Sequence, residues 1–413
     1  MEAKRERRES LLIVLGAFAF AVLRSPILLF HGRVVAEEGS TYFQQGWDAG
    51  PLRTLSMVHQ GYYSLFMNTT TFVGTTLVPL EWVGFVFTTA SLLVLLLTVY
   101  MAVTCEQFQN TRSRVIAAGV CLLTPSIEVW LTAEDAQFYL PVCVALICIS
   151  NENRHRIIRS FTLLLAGLTG PASCLLTPFF LYRAYLRRTA GAMIQAAILL
   201  LCSILQASVL LGAVRTGARD IADPVKLEWF GPVLVLKIFS VTFFTRLGAF
   251  LSQRIVIRHQ NLAVCLLFWA ICLLFLAFFW KMAKIGGWAA KMCFGMALVS
   301  LSANYIGIGE SLSILFIGTF RYFFTGFVLL WMVLALANGS ASQRVEISNR
   351  RLAKAAIYLA LFCGGLDAAG YWSRFQDLDP RWSEQVRAWR ANPETPIRVC
   401  PSTWLYPIHL HPR

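Results

Sequence analysis

Residues 229–258 read WFGPVLVLKIFSVTFFTRLGAFLSQRIVIR, and whether this stretch crosses a bilayer decides the topology of everything that follows it. It is apolar enough to span. Crossing would put Arg254 and Arg258 in the cytoplasm but push Lys281 and Lys284 to the far side and invert each later connection. That violates the rule that short cytoplasmic loops collect Lys and Arg. A pair of interfacial helices on the outer surface keeps the rule, with Lys237, Arg246 and Arg254 on a polar face.

A bilayer is the required solvent for the rest of the chain as well. Of 413 residues, 57% are hydrophobic and 14% charged, and mean hydropathy is +0.61. A soluble protein of this length could not cover that much apolar surface. The 30 Phe and 12 Trp suit lipid-facing helices with aromatic belts. The net charge of +14 does not call for nucleic acid, because the basic residues fall in short clusters between apolar runs, as in Arg154/Arg156/Arg159 and Arg183/Arg187/Arg188. The charge reports topology. The eleven cysteines are scattered through apolar segments without a CxxC pair, and His residues lack metal-ligand spacing.

The start MEAKRERRES is basic, and residues 10–30 are apolar with Arg24 as the sole charge. This predicts a first span with a cytoplasmic N-terminus and places Glu37 and Glu38 outside. Further spans are expected near 83–103, 115–128, 138–150, 157–170, 172–186, 190–214, 262–280, 288–307, 322–337 and 354–371. Basic clusters at 112–114, 154–159, 183–188, 281–291 and 344–354 fall on alternate connections. The expected fold is therefore an all-α polytopic bundle of about eleven spans, multi-pass, with an outer C-terminus that faces the periplasm, or the lumen in a eukaryote. Residues 1–372 form the transmembrane domain, with outer loops 31–82, 129–137, 215–261 and 308–321. Residues 373–413 form a small outer segment that covers the outer cleft as a lid.

The outer side carries polar groups that a lipid-facing structure does not require. They are His31-Gly32-Arg33 with Glu37-Glu38, His59-Gln60-Gly61-Tyr62-Tyr63, Glu134-Asp135 with Gln137, Gly167-Leu168-Thr169-Gly170-Pro171, and Arg321-Tyr322. A carboxylate at this depth can take a proton from a hydroxyl, hold a divalent cation, or simply be solvated. Adjacent Glu37 and Glu38 diverge on a helix, so one of the two points into a cleft. Arg321 can bind a lipid phosphate or anchor a helix end by snorkelling. His59 fits an interfacial hydrogen-bonding role, and Asn68-Thr69-Thr70 is a formal glycosylation sequon.

The stretches Ala36-Glu37-Glu38-Gly39, Gly61-Tyr62, Pro79-Leu80-Glu81-Trp82, Gly167-Leu168-Thr169-Gly170-Pro171 and Arg321-Tyr322-Phe323, with Trp389-Arg390, Pro401 and Trp404 in the tail, occur in that order. In this the chain resembles the GT-C class of polytopic glycosyltransferases, and within it a bacterial inner-membrane group with an AEDG-like first-loop motif. The resemblance implies a polyprenyl-phosphate sugar donor, a glycan or lipid acceptor, and an acidic residue of the first outer loop as general base. Glu38 holds the motif's aspartate position and Glu37 its glutamate position, which leaves open which of them acts. On this pattern Arg321, with Arg33 or Arg246, meets the donor phosphate. His59, Tyr62, Glu134, Asp135, Gln137 and Tyr322 contact substrate. No cofactor is called for, and a divalent cation stays open. Other readings are a flippase, transporter or polymerase of lipid-linked glycans, or a non-catalytic scaffold binding through the tail.

Overall fold

Lipid offers no partner for backbone N–H and C=O groups, so an apolar chain must satisfy them within helices. The computed structural model describes residues 2–125, 128–217, 226–258, 261–308, 319–339, 347–370, 381–400 and 407–412. In chain order the helices are α1 (Glu2–Arg24), α2 (Val83–Val103), α3 (Thr111–Leu123), α4 (Ala136–Ile149), α5 (Arg156–Gly167), α6 (Thr177–Arg187), α7 (Ala190–Arg215), α8 (Leu262–Ile285), α9 (Gly287–Ile308), α10 (Phe320–Gly339), α11 (Ile347–Gly370) and α12 (Trp382–Ala391). Among the described residues, seven helical segments are long and apolar enough to cross a membrane, six of them in α2, α7, α8, α9, α10 and α11 and the seventh at Leu227–Thr245. The chain is an all-α polytopic membrane protein.

Helices α3 to α6 are short, as their apolar runs lead one to expect, at 13, 14, 12 and 11 residues. That is roughly 16–21 Å of rise, against a hydrocarbon core of about 30 Å. For α4 the reason is its surroundings. Every residue except Gln137 is buried, packed against α2, α5 and α10, and a helix without lipid contact need not match bilayer thickness.

One end of the bundle gathers the basic connections. Glu6 pairs with Arg114 at 2.8 Å and with Arg154 at 3.1 Å, and Glu106 with Arg159 at 3.4 Å. Glu152 accepts from Arg187 and from Thr189. Buried Arg183 donates to the carbonyls of Ile147 and Cys148 at the end of α4. The clusters from the start of α1 and from the α2–α3, α4–α5 and α6–α7 connections thus meet at one end.

The opposite end carries the loops and a second hydrophobic core. Tyr42, Phe43, Met67, Val83 and Phe87 pack there with Trp382, Val386, Trp389, Val399, Ile408 and Leu410. Trp382 Nε1 donates to the Leu80 carbonyl at 2.7 Å, and the Cys400 N–H to the Val34 carbonyl at 2.9 Å. The described tail residues therefore pack behind the first outer loop, and none of them lines the cavity described below. The predicted lid over the cleft is replaced by a shared core, because the tail's large aromatics find their apolar partners in residues 34–87.

Residues 227–258 depart from the expected interfacial pair. Thr245 has φ 58° and ψ −164°, and the chain doubles back there. The Ser240 and Ser252 hydroxyls are 2.9 Å apart, whereas twelve residues of straight helix would separate them by roughly 18 Å. The entry arm is anchored at the loop end, where the carbonyls of Lys226 and Glu228 accept from Tyr305 and Trp269. It then runs into the bundle, stacking Phe239 on Phe275 at 4.4 Å and accepting a Trp331 bond on Thr242 at 3.2 Å. Lys237 is not on a polar surface; it is fully buried, its ammonium 4.3 Å from the Phe320 ring centroid. The Arg254 guanidinium lies over Phe250 on the return arm, and the side chain of Arg246 lies outside the described residues. The segment is a helical hairpin.

Candidate functional site

Gly32 opens the first loop with φ +65°, and a Cβ there would collide with the backbone of Gly84 and Phe85. This close approach lets the Arg33 N–H donate to the Gly84 carbonyl at 3.2 Å and to Thr88 Oγ1 at 3.1 Å. The Arg33 guanidinium is buried and donates to the Trp130 carbonyl at 2.6 Å and to Thr132 Oγ1 at 3.2 Å. Arg33 thus fastens the first loop to the α3–α4 connection instead of facing a phosphate pocket. Ala36 takes a left-handed φ of 40°, and Glu38–Phe43 follows as a π-helical stretch, a geometry that recurs at functional sites.

Glu37 and Glu38 separate here. The Glu38 carboxylate accepts from the N–H groups of Val35 at 2.8 Å, Glu134 at 3.1 Å and Ala133. Burial pushes its carboxyl up to about 7 against the pull of these donors and Arg33. Glu37 points the other way, its Oε1 3.4 Å from Arg321 Nη2 and its Oε2 buried without a hydrogen bond among the described residues.

Three further elements close the site. Gly167 to Gly170 docks on the 61–66 stretch through Gly170 N–H to Tyr63 O at 3.0 Å and Leu65 N–H to Leu168 O at 2.7 Å. Gln206 of α7 binds this junction, accepting from the Tyr63 N–H at 3.1 Å and donating to the Tyr63 carbonyl at 2.8 Å. Gly170, at φ +80°, admits Gln137 so closely that a Cβ would sit 2.9 Å from Gln137 Oε1. Gln137 Nε2 in turn donates to the Tyr62 hydroxyl at 3.3 Å. Arg321, at the start of α10, donates to Glu37 and to the Tyr322 hydroxyl at 3.3 Å, and lies 3.9 Å from Asp135 Oδ1. Its backbone N–H is accepted by Glu128 at 3.3 Å.

These elements enclose a cavity of about 560 Å³. Gln60, Tyr62, Glu134, Gln137, Asn304, Arg321 and Tyr322 supply its polar wall, and Phe138, Pro171, Leu175 and Ile308 are part of its apolar side. Of the residues expected to contact substrate, Tyr62, Glu134, Gln137, Arg321 and Tyr322 line it directly, while Asp135 and Glu37 reach it through Arg321. His59 does not line it. Its ring is buried 4.3 Å from that of Tyr42, and burial lowers its pKa to about 4, so it is neutral. Burial and neighbouring carboxylates push Glu134 well above the usual range, and burial pushes Asp135 up to about 8.

Sequence reasoning missed Asn304, Glu128 and Gln206. Each had a signal, being an isolated polar side chain in or beside an apolar run. Asn68, the sequon residue, is buried with its amide donated to the Met57 carbonyl at 2.8 Å, so it is not presented for glycosylation. Among the described residues, no three His, Cys, Asp or Glu side chains come together as a metal-binding group. No family model, curated protein or solved structure matches the chain.

Proposed function

We propose that this chain is a membrane transferase that moves a sugar from a polyprenyl-phosphate carrier to the hydroxyl of a glycan or lipid acceptor at the loop end of the bundle. The basic end is the cytoplasmic one on this reading, with the site on the outer, periplasmic face of an inner membrane. The observation that carries the proposal is Arg321, a guanidinium at the wall of a half-polar, half-apolar cavity, held at 3.4 Å by Glu37 and 3.9 Å by Asp135. Both contacts are long for charge-assisted bonds, so a phosphate that accepts two guanidinium N–H groups displaces them at modest cost.

The chemistry then follows from what the exchange releases. When phosphate takes Arg321, the Glu37 carboxylate is released from its guanidinium. It accepts the acceptor's hydroxyl proton as the oxygen–carbon bond to the anomeric carbon forms. The bond from that carbon to the phosphate oxygen breaks, and the leaving polyprenyl phosphate keeps the electron pair, stabilised by Arg321. Amides of Gln60, Gln137 and Asn304 with the Tyr62 and Tyr322 hydroxyls suit sugar hydroxyls, and the Leu175 and Ile308 side suits the first isoprene units. Glu38 is the structural member of the pair, since its oxygens already serve three N–H groups.

The test is transfer from a polyprenyl-phosphate sugar by purified protein in lipid nanodiscs. Glu37→Gln is expected to lower kcat by roughly 10²–10⁴-fold while the protein stays folded. Full activity in both Glu37→Gln and Arg321→Ala contradicts the proposal.

A further inference from the structure

The cavity wall is unbalanced in charge. Arg321 is the only cation among its described lining residues, and three carboxyl groups surround that guanidinium: Glu37, Asp135 and Glu134. The nearest other cations are engaged elsewhere, Arg33 on Trp130 and Thr132 and Lys237 against Phe320 and the charge of Glu128. Glu134 is the least provided for. It is 4% exposed and lines the cavity; its N–H is donated to Glu38, and its carboxyl meets no hydrogen-bond donor among the described residues. Asp135 Oδ1 and Glu37 Oε2 are likewise buried without a hydrogen bond.

A phosphate at Arg321 would add negative charge to this wall and remove its one cation from the carboxyls. A neutral sugar cancels none of that charge. A buried carboxylate is stable only when paired, and burial with the neighbouring carboxylates raises the pKa of Glu134. A ligand with its own cation a few ångströms from its phosphate removes the conflict.

We infer that the transferred sugar bears a protonated amine, received by Glu134, with Gln137 and Asn304 on the same cavity wall and Asp135 behind it. A divalent cation is the poorer occupant, because it needs several ligands at short, fixed distances and no such group converges among the described residues. The inference rests on the transferase reading for the phosphate at Arg321, but its test needs no turnover.

Equilibrium binding of glucosamine 1-phosphate and glucose 1-phosphate to the full chain in phosphatidylcholine nanodiscs separates the two. Glucosamine 1-phosphate is expected to bind at least roughly 10-fold tighter, the worth of one buried charge-assisted hydrogen bond. Glu134→Gln, nearly isosteric, is expected to erase the preference, and Asp135→Asn to reduce it if the first variant does not fold. Equal affinities in the wild type overturn the inference, as does a preference that survives in a folded Glu134→Gln protein. Saturable Mg²⁺ or Mn²⁺ binding that Glu134→Gln abolishes, with no amine preference, overturns it in favour of a metal. An amine preference that persists undiminished in Arg321→Ala, with affinity for both sugar phosphates unchanged, supports this site and counts against phosphate binding at Arg321.

Discussion

Glu38 has two backbone N–H groups on one carboxylate oxygen and a third on the other, while Glu37, one residue earlier, shares a single guanidinium. Their contrast predicts opposite mutational outcomes. Glu38→Ala leaves buried N–H groups without an acceptor and should cost at least about 2 kcal/mol of stability; Glu37→Ala should change stability little and activity greatly. Thermal unfolding of both variants checks this. The buried carboxyls also set a pH dependence. Asp135 rises from an ordinary 3.8 to about 8 and Glu38 from 4.5 to about 7, so the folded chain holds these protons more tightly than the unfolded one. That stability is fully present below pH 4 and is lost as pH rises through the window to about 8. The melting temperature in detergent should therefore fall from pH 5 to pH 8, and Asp135→Asn should flatten the fall. The sequence showed that acids gather on one face. It did not show which adjacent glutamate faces the cavity, because the π-helical turn after Ala36 at positive φ sets that direction and has no compositional signature.

Residues 227–258 place the same limit on elements. Basic clusters on alternate connections predict that both ends of this segment lie on one side. The doubling back was hidden, because Thr245 at φ 58° is a β-branched residue in a region that favours glycine. Thr245→Gly should thus be tolerated or stabilising by about 1 kcal/mol, read from thermal unfolding. Topology is testable with single cysteines at Glu228, Arg258 and Arg112, all exposed, in a chain whose own cysteines are buried apart from half-buried Cys174. A membrane-impermeant maleimide should reach positions 228 and 258 from one side of the membrane and position 112 only from the other. Apolar runs likewise located α3 to α6 to within about five residues at each end. Helix α4 is packed inside protein, so bilayer thickness does not act on it and it stays short.

Across the whole molecule, the first loop, the tail and the start of α10 make one assembly at the loop end of the bundle from segments hundreds of residues apart. Trp382 is buried in the core shared by residues 34–87 and the tail, so Trp382→Ala should cost about 3–5 kcal/mol and loosen the loop that carries Glu37. Limited proteolysis within residues 34–80 would report that loosening. Sequence alone could place Glu37 and Arg321 on the same side, but their 3.4 Å contact spans 284 positions and depends on packing that no local pattern encodes. The account turns on Arg321 as the anion-binding group of the cavity. The most direct measurement is the affinity of nanodisc-embedded protein for a polyprenyl phosphate, compared in the wild type, Arg321→Ala and Arg53→Ala, the last an exposed loop-end control. The account predicts a loss of roughly 10-fold or more for Arg321→Ala alone; equal affinity in all three proteins would contradict it.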